Sequence, residues 1–138
     1  MIDIPKMTAE LKRDEGFRGC AYRCTANKIT IGYGHNIQDK PMPEFIAEKL
    51  LQSDIIDAVE ECERFDWFHS LSDVRQRVII NMVFNMGAHG VSKFKKMIAS
   101  IRNDEWHTAS REMLDSKWAN QVGDRAIRLS QMMRNDTV

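Results

Sequence analysis

The stretch from residue 14 to residue 35, DEGFRGCAYRCTANKITIGYGH, joins the end of a helix to a β-hairpin and places one acidic side chain between them. Apolar residues precede it at the spacing of one helix face, and they are Ile4, Met7 and Leu11. Gly16 ends this predicted helix, since glycine readily adopts the backbone conformation of a helix C-terminus. Glu15 is therefore expected where a helix over residues 4–14 turns into the hairpin.

The hairpin is predicted by strand-forming residues on both sides of a polar turn over residues 25–28. These strand formers are Tyr22, Ile29, Ile31 and Tyr33. Gly32 and Gly34 lie in its second half, where a glycine lets another group approach the backbone closely. An isolated glutamate at a helix end is usually a solvated surface carboxylate. On residue type and spacing alone, Glu15 would therefore not indicate an enzyme.

Helical periodicity covers most of the remaining chain. Pro43 is placed to open a helix over about residues 44–63, and Ser72 is a candidate N-cap for a buried helix that Gly87 ends. Further helices are marked by apolar residues at Phe94–Ile101, Trp106–Leu114 and Ala126–Met133. The nine methionines are expected to fill the core, since methionine adapts to irregular gaps. The pattern predicts a predominantly helical α+β fold in one domain.

The charge of the chain is balanced, with 20 basic and 20 acidic side chains and a formal net charge of zero. A nucleic-acid partner is not expected, because such proteins carry a basic surface that neutralises phosphates. Two local runs of charge are interpreted as solvated helix faces, and the alternative for the basic run is weak attraction to an anionic cell envelope. Their members are Asp54, Asp57, Glu60, Glu61 and Glu63, and Lys93, Lys95 and Lys96.

Three cysteines do not form a disulfide framework. On one strand Cys20 and Cys24 would lie about 13 Å apart, beyond the limit of about 7 Å for bridging, so both are expected to be reduced. Cys62 is interpreted as a small buried hydrophobe. A zinc site from Cys20, Cys24 and His35 is poorly spaced, so no metal or other cofactor is expected. No N-terminal apolar run resembles a signal peptide, so neither a signal peptide nor membrane insertion is expected, and no stretch is long and apolar enough to predict a transmembrane helix.

Three segments occur in an informative order. The hairpin stretch carries Glu-Gly-x-Arg at residues 15–18 and Thr-Ile-Gly-x-Gly-His at residues 30–35. Residues 71–94 read LSDVRQRVIINMVFNMGAHGVSKF, and residues 116–129 read SKWANQVGDRAIRL. Together they resemble the T-even-type phage lysozymes, the endolysins of glycoside hydrolase family 24. The resemblance covers most of the chain.

The resemblance implies a lysozyme-like fold within a single domain over residues 1–138. Its N-terminal lobe, over about residues 14–53, would contain the hairpin and a substrate cleft. The helix over about residues 44–63 would connect this lobe to a helical lobe over about residues 70–134. The first helix, residues 4–14, is expected to belong to the helical lobe.

Three catalytic residues are implied by the resemblance. Glu15 would protonate the glycosidic oxygen, and burial behind the hairpin would keep its carboxyl protonated. The family's second acidic residue stands nine positions later, where this sequence has Cys24. No Asp or Glu occurs between Glu15 and Asp39, so a shifted alignment does not restore the pair. Thr30 would bind the attacking water, while Cys24 is a base, a nucleophile or an inert side chain.

Supporting roles follow from the same resemblance. Arg125 would orient the carboxyl of Glu15 and stabilise it after proton transfer. His35 and Asp54 would form a scaffold pair between the hairpin and the connecting helix. The positions that line the family's sugar cleft are Asn36, Phe84, Asn85 and Gly87. Two outer contact positions hold Met97 and Glu112, which do not match the family.

The resemblance implies a phage or prophage endolysin, a muramidase that hydrolyses the β-1,4 bond between N-acetylmuramic acid and N-acetylglucosamine. Its partners would be peptidoglycan glycan strands and a separate phage protein that forms the export pore. We expect a monomer made in the host cytoplasm that acts on the periplasmic cell wall after release. Two alternatives remain open at this stage: lytic transglycosylase-like cleavage with a single catalytic Glu, and a non-catalytic glycan-binding relative.

Overall fold

The computed structural model describes residues 1–138 and contains seven helices and three short strands. In chain order they are α1 (Ile4–Glu15), β1 (Arg18–Arg23), β2 (Ile29–Gly32), β3 (His35–Asn36), α2 (Glu44–Cys62), α3 (Asp73–Ser92), α4 (Lys95–Arg102), α5 (Trp106–Leu114), α6 (Lys117–Val122) and α7 (Asp124–Asn135). This predominantly helical α+β architecture confirms the predicted fold class. None of the helices combines the length and apolar character needed to cross a membrane.

The chain forms two compact units, residues 1–49 and residues 50–138. In the first unit, the side chain of Asp3 accepts a hydrogen bond from the backbone N–H of Lys6 and so caps α1. Gly16, with φ of 69°, ends this helix and donates its N–H to the carbonyl of Lys12. The expectation that α1 belongs with the helical lobe concerns the arrangement of the units and stays a prediction.

The sheet of the first unit is antiparallel, in the order β1-β2-β3. Tyr22 lies opposite Thr30, and Thr30 lies opposite Asn36 on the other side. Ile31 lies opposite His35. Directly opposed residues share a face and successive residues alternate between faces, so Thr30 and Asn36 lie on one face and His35 on the other.

The second unit is built around a helical core. Helix α3 contributes five apolar core side chains, which are Val78, Ile79, Met82, Val83 and Val91. Met82, Met97, Met113 and Met133 are all fully buried, which confirms for these four the predicted role of methionine in the core. Cys62 is also fully buried, as predicted, and this burial together with the neighbouring carboxylates raises the pKa of its thiol to about 12.

Helix α3 begins and breaks at predicted residues. The hydroxyl of Ser72 accepts a hydrogen bond from the N–H of Arg75 and caps the helix. Gly87 has φ of 83° and ψ of 159°, which interrupts the helix before it resumes to Ser92. The first segment of α3 therefore ends at Gly87, and the residues just before it lie in a last helical turn.

Arg75 joins the start of α3 to the end of α7. Its Nε donates to the carbonyl of Met133 at 2.8 Å, and Nη2 donates to the carbonyl of Arg134 at 3.3 Å. The guanidinium carbon lies 3.9 Å from the centre of the Trp106 ring. Only 9% of Arg75 is exposed, and the cation is satisfied by helix C-terminal carbonyls, an aromatic face and the carboxylate of Asp136, 3.6 Å from Nη1.

Candidate active site

Glu15 lies against the backbone of the hairpin. It is the last residue of α1, and a Cβ atom added to Gly34 would lie 2.8 Å from both Cδ and Oε2 of Glu15. The adjacent Tyr33 ring lies 5.6 Å from the Phe17 ring, and Nζ of Lys12 lies 5.4 Å from the Tyr33 ring centre. The end of α1 and the turn between β2 and β3 thus pack together. The predicted close approach is confirmed at Gly34.

Gly32 serves a different purpose. A Cβ atom there would meet nothing within 4 Å, so no group approaches its backbone. Its φ of 71° lies in the left-handed region that favours glycine. The prediction of a close approach is therefore wrong for Gly32, which is needed for the turn of the backbone rather than for space.

The environment of the Glu15 carboxyl differs from the expectation. Glu15 is exposed, whereas the sequence suggested that the hairpin buries it. The reason is that Gly34 covers one side only of a residue at the end of a helix that has no buried residue. The carboxyl of Glu15 is therefore accessible to solvent and to a ligand.

The Cys24 thiol is close to several hydrogen-bond donors of the following turn and strand. The N–H of Cys24 donates to the carbonyl of Lys28, and the N–H of Asn27 donates to the carbonyl of Cys24, which closes the turn. The backbone N–H of Lys28, then the hydroxyl of Thr30 and the N–H of Ala26, hold the pKa of the Cys24 thiol below its ordinary value. Because Cys24 is only half-buried, its thiol is partly accessible to solvent.

Thr30 lies deeper than Cys24. It is only 2% exposed, and its hydroxyl donates to the carbonyl of Lys28 at 2.9 Å. Turning the same hydroxyl towards sulfur stabilises the thiolate of Cys24. The structure therefore brings Cys24 and Thr30 together, as the resemblance implies, with the hydroxyl directed at groups of the protein.

Asn36 organises the turn that follows β3. Its Oδ1 accepts hydrogen bonds from the N–H groups of Gln38 and Asp39, both at 3.0 Å, and its Nδ2 donates to Asp39 at 3.0 Å. The Asn36 amide and the Lys28 ammonium, 3.3 Å away, hold the pKa of Asp39 below its usual range. One N–H of Asn36 remains available to a ligand.

In the second unit, three predicted residues line one cavity. Asp54, Phe84 and Gly87 lie around a volume of about 370 Å³. Phe84 also lines a second cavity of about 340 Å³, to which Arg125 contributes. Phe84 is 44% exposed, so its ring forms part of the surface of both cavities. An exposed aromatic ring between two cavities is suited to stack against a sugar or another flat apolar face.

Two hydrogen bonds in this unit involve residues that the sequence analysis missed. The indole N–H of Trp118 donates to Oδ1 of Asn85 at 2.8 Å, and Nε of Arg125 donates to Oδ1 of Asn81 at 2.9 Å. Asn81 and Trp118 lie inside the segments that carry the family resemblance, which is the only signal that pointed to them. Met97 and Glu112, which depart from the family, line a further cavity of about 370 Å³.

The predicted site residues are divided between the two units. Residues 1–49 contain Glu15, Cys24, Thr30, His35 and Asn36, and residues 50–138 contain Asp54, Phe84, Asn85, Gly87 and Arg125. The two pairings that join the groups, Glu15 with Arg125 and His35 with Asp54, stay predictions.

Known proteins are similar over nearly the whole chain. A family model described as phage lysozyme matches residues 12–135. Two proteins of Dictyostelium discoideum, probable T4-type lysozyme 2 and probable T4-type lysozyme 1, are each 28% identical to this chain. Each alignment covers 93% of this chain and 93% of the relative. The pre-baseplate central spike protein Gp5 of Enterobacteria phage T4 is 28% identical over an alignment that covers 95% of this chain and 28% of Gp5.

Proposed function

Because the chain belongs to the phage lysozyme family and is a glycoside hydrolase of the lysozyme class, we propose that it cleaves the β-1,4 bond between N-acetylmuramic acid and N-acetylglucosamine. Peptidoglycan is the substrate that this family implies. The observation that carries the proposal is the carboxyl of Glu15, held at the end of α1 against Gly34. An acidic group thus lies beside the turn between β2 and β3.

Glu15 acts as the general acid. It gives its proton to the glycosidic oxygen, the bond from the anomeric carbon to that oxygen breaks, and an oxocarbenium-like centre develops. The carboxyl is exposed in the protein alone, so the bound glycan supplies the surface that removes water from it. Removal of water favours the protonated form of a carboxyl.

Cys24 acts as the general base. A water molecule gives one proton to the Cys24 thiolate, and its oxygen bonds to the anomeric carbon as the glycosidic bond breaks. Glu15 then regains a proton from solvent and Cys24 loses one, which returns the site to its starting state. The hydrogen bonds from Lys28 and Thr30 to sulfur favour the thiolate that this step requires. Thr30 supports the thiolate through its hydroxyl.

The remaining predicted residues have supporting roles in this proposal. Arg125 orients and stabilises the carboxylate of Glu15, and His35 with Asp54 forms a scaffold. Asn36 has one N–H left to donate, and the Phe84 ring is exposed for stacking. Residues proposed to contact the glycan are Asn36, Phe84, Asn85 and Gly87.

The biological role that we propose is lysis of the host cell by a phage or prophage endolysin. The protein is made in the host cytoplasm and acts as a monomer on the periplasmic cell wall. A separate phage protein forms the pore through which it is released. The description of the family as phage lysozyme supports this role.

Lysis of permeabilised cells tests the proposal. The parent is expected to clear suspensions of Gram-negative cells whose outer membrane has been permeabilised. Glu15→Gln should lower the rate by about 10²–10⁴-fold, because it removes the proton donor. Glu10→Gln, a change of another exposed glutamate on α1, is the matched control and should clear cells at the parent rate. Equal rates for the parent and a folded Glu15→Gln variant would show that the acid is misassigned.

A lytic transglycosylase-like reaction is the second candidate. It needs only one catalytic carboxyl, and the presence of Cys24 in place of a second carboxylate favours it. In that reaction Glu15 remains the acid, and the 6-hydroxyl of the muramic sugar attacks the anomeric carbon in place of water. The products are then anhydro-muramic ends, whereas hydrolysis gives reducing ends. A protein that binds purified peptidoglycan and releases no fragments would instead be a non-catalytic glycan-binding relative.

A further inference from the structure

Helices α5 and α7 line a cavity of about 300 Å³ in the second unit. Each helix contributes four side chains at the spacing of one helix face, i, i+3, i+4 and i+7. From α5 they are His107, Ser110, Arg111 and Leu114. From α7 they are Ile127, Ser130, Gln131 and Arg134. The cavity is therefore a groove between two facing helices.

Basic side chains line this groove, and no carboxylate does. The basic groups are the guanidinium groups of Arg111 and Arg134 and the imidazole of His107, and none of the three forms an ion pair. Glu112, the only acidic residue of α5, lines a different cavity, and Asp124, the only acidic residue of α7, is the first residue of that helix. Guanidinium groups without a carboxylate partner in one groove favour an anionic ligand.

Two buried serines form the floor of the groove. Ser110 and Ser130 are 5% and 4% exposed, whereas the other lining residues are exposed. Each hydroxyl donates to a carbonyl three residues earlier in its own helix, at 2.7 and 2.8 Å. A hydroxyl rotates to suit its partners, so both serines can donate to a ligand instead. With the guanidinium, imidazole and Gln131 amide donors, this arrangement suits the three acceptor oxygens of a phosphate group.

The basic side chains of the two helices meet at one end of the groove. The guanidinium carbon of Arg75 lies 3.9 Å from the ring centre of Trp106, the first residue of α5. Nε of the same arginine donates to the carbonyl of Met133, close to the end of α7. The start of α5 therefore lies beside the end of α7, which places His107 and Arg134 at the same end of the groove.

The opposite end of the groove is apolar. Leu114 is the last residue of α5, Ile127 lies near the start of α7, and residues 115–123 join the two helices. These two side chains are 43% and 47% exposed. An apolar group placed against them would remove this surface from water, which is favourable. A ligand that suits both ends carries a negative charge and an apolar part.

We propose that the groove between α5 and α7 binds a single phosphate ester that carries a short apolar group. The phosphate lies between Arg111 and Arg134, beside His107, and the apolar group lies against Leu114 and Ile127. A membrane surface also presents phosphate esters, but a groove with a buried floor suits one molecule that enters it. The proposal is independent of the proposed reaction, because none of the lining residues has a role in that reaction.

Calorimetric titration of the parent with three small anions tests the class of ligand. The probes are hexyl phosphate, methyl phosphate and hexanoate, compared at one pH and one ionic strength, because salt screens exposed charges. Hexyl phosphate should bind about tenfold more tightly than methyl phosphate, because its chain covers the apolar end of the groove. It should also bind more tightly than hexanoate, which has fewer acceptor oxygens. Equal affinity for hexyl phosphate and hexanoate would overturn the assignment of a phosphate.

Four variants at exposed positions test the location of the site. Arg111→Gln and Arg134→Gln should each weaken the binding of hexyl phosphate about tenfold, because each removes charge-assisted hydrogen bonds. Arg128→Gln is the matched control and should bind like the parent, since Arg128 is an exposed arginine of α7 that does not line the groove. Ile127→Ser should abolish the advantage of the hexyl chain and leave the affinity for methyl phosphate unchanged. Thermal unfolding of the same samples should show that all four variants are folded.

The remaining measurements separate this site from a general effect of charge and from a membrane surface. An equal loss of hexyl phosphate binding in Arg128→Gln and Arg134→Gln would overturn the site. In sedimentation with phosphatidylglycerol vesicles, binding that requires Arg134, in a parent that does not bind hexyl phosphate, would assign the basic side chains to a membrane surface and overturn the proposal. Arg134→Gln should release fragments from peptidoglycan at the parent rate, because the groove takes no part in the proposed reaction.

Discussion

Gly34→Ala should misplace the catalytic acid without unfolding the protein. The new Cβ atom would lie 2.8 Å from Cδ and Oε2 of Glu15, whereas non-bonded carbon atoms rest at about 3.5 Å or more. The carboxyl must therefore move by about 0.7 Å, the difference between these distances. Displacements of about 1 Å can cost about 10²-fold in rate. We expect kcat on peptidoglycan to fall by one to two orders of magnitude, about 10–100-fold.

Gly32→Ala is the matched control for backbone strain. The two glycines have nearly equal dihedral angles, with φ of 74° at Gly34 and 71° at Gly32, but a Cβ at Gly32 meets nothing within 4 Å. A left-handed conformation costs a non-glycine residue about 1–2 kcal/mol, which lowers Tm by about 3–7 °C in a chain of this size.

Calorimetry and release of reducing ends should be measured on the same preparations, with rates expressed per folded molecule. Both alanine variants should lose similar stability, and only Gly34→Ala should lose most of its activity. Equal specific activity in the two variants would refute the reasoning, because it would show that the contact between Glu15 and Gly34 does not hold the acid in place.

Three further predictions concern other residues. An active form with Glu15 protonated and Cys24 ionised gives a bell-shaped pH–rate profile. Hydrogen bonds to sulfur lower the pKa of Cys24, so its ionised fraction exceeds that of an ordinary thiol at the same pH, and iodoacetamide should modify it faster than buried Cys62. Cys24→Asp should keep activity and shift the pH–rate profile to lower pH, whereas Cys24→Ala should be slower than the parent. An unchanged rate and profile in Cys24→Ala would show that the thiol takes no part in the reaction. Arg75→Met should cost about 2–4 kcal/mol in denaturant unfolding, since two helix carbonyls lose their donor, and a loss below about 0.5 kcal/mol would contradict this role. His35→Ala should lower Tm and leave most of the specific activity, because His35 lies on the face of the sheet that does not carry Thr30. Unchanged melting with abolished activity would contradict the scaffold role.

Local signals in the sequence predicted most of the helices. The first helix ends at Glu15 rather than at residue 14, and α2 ends at Cys62, within one residue of the prediction. Both helices have apolar periodicity over several turns and a clear start or stop residue. The break at Gly87 was predicted for the same reason. The short elements α6 and β3 were missed, because six and two residues are too few to show a period.

The candidate site was predictable where a local motif required it. The glycine at position 34 anticipated the approach of another group, and the structure shows that this group is the Glu15 carboxyl. The exposure of Glu15 and the deep burial of Thr30 were not predicted, because burial depends on which elements pack together. The bonds from Trp118 to Asn85 and from Arg125 to Asn81 join residues 33 and 44 positions apart, and no periodicity encodes such a pairing.

In the proposed reaction, Glu15 protonates a glycosidic bond that water then cleaves. Purified peptidoglycan should be digested in ¹⁸O-labelled water by the parent and by Glu15→Gln, and the fragments analysed by mass spectrometry. The parent should release fragments with reducing muramic ends that each carry one ¹⁸O atom, and Glu15→Gln should release no fragments. Anhydro-muramic ends without ¹⁸O, or equal fragment release by the two proteins, would contradict it.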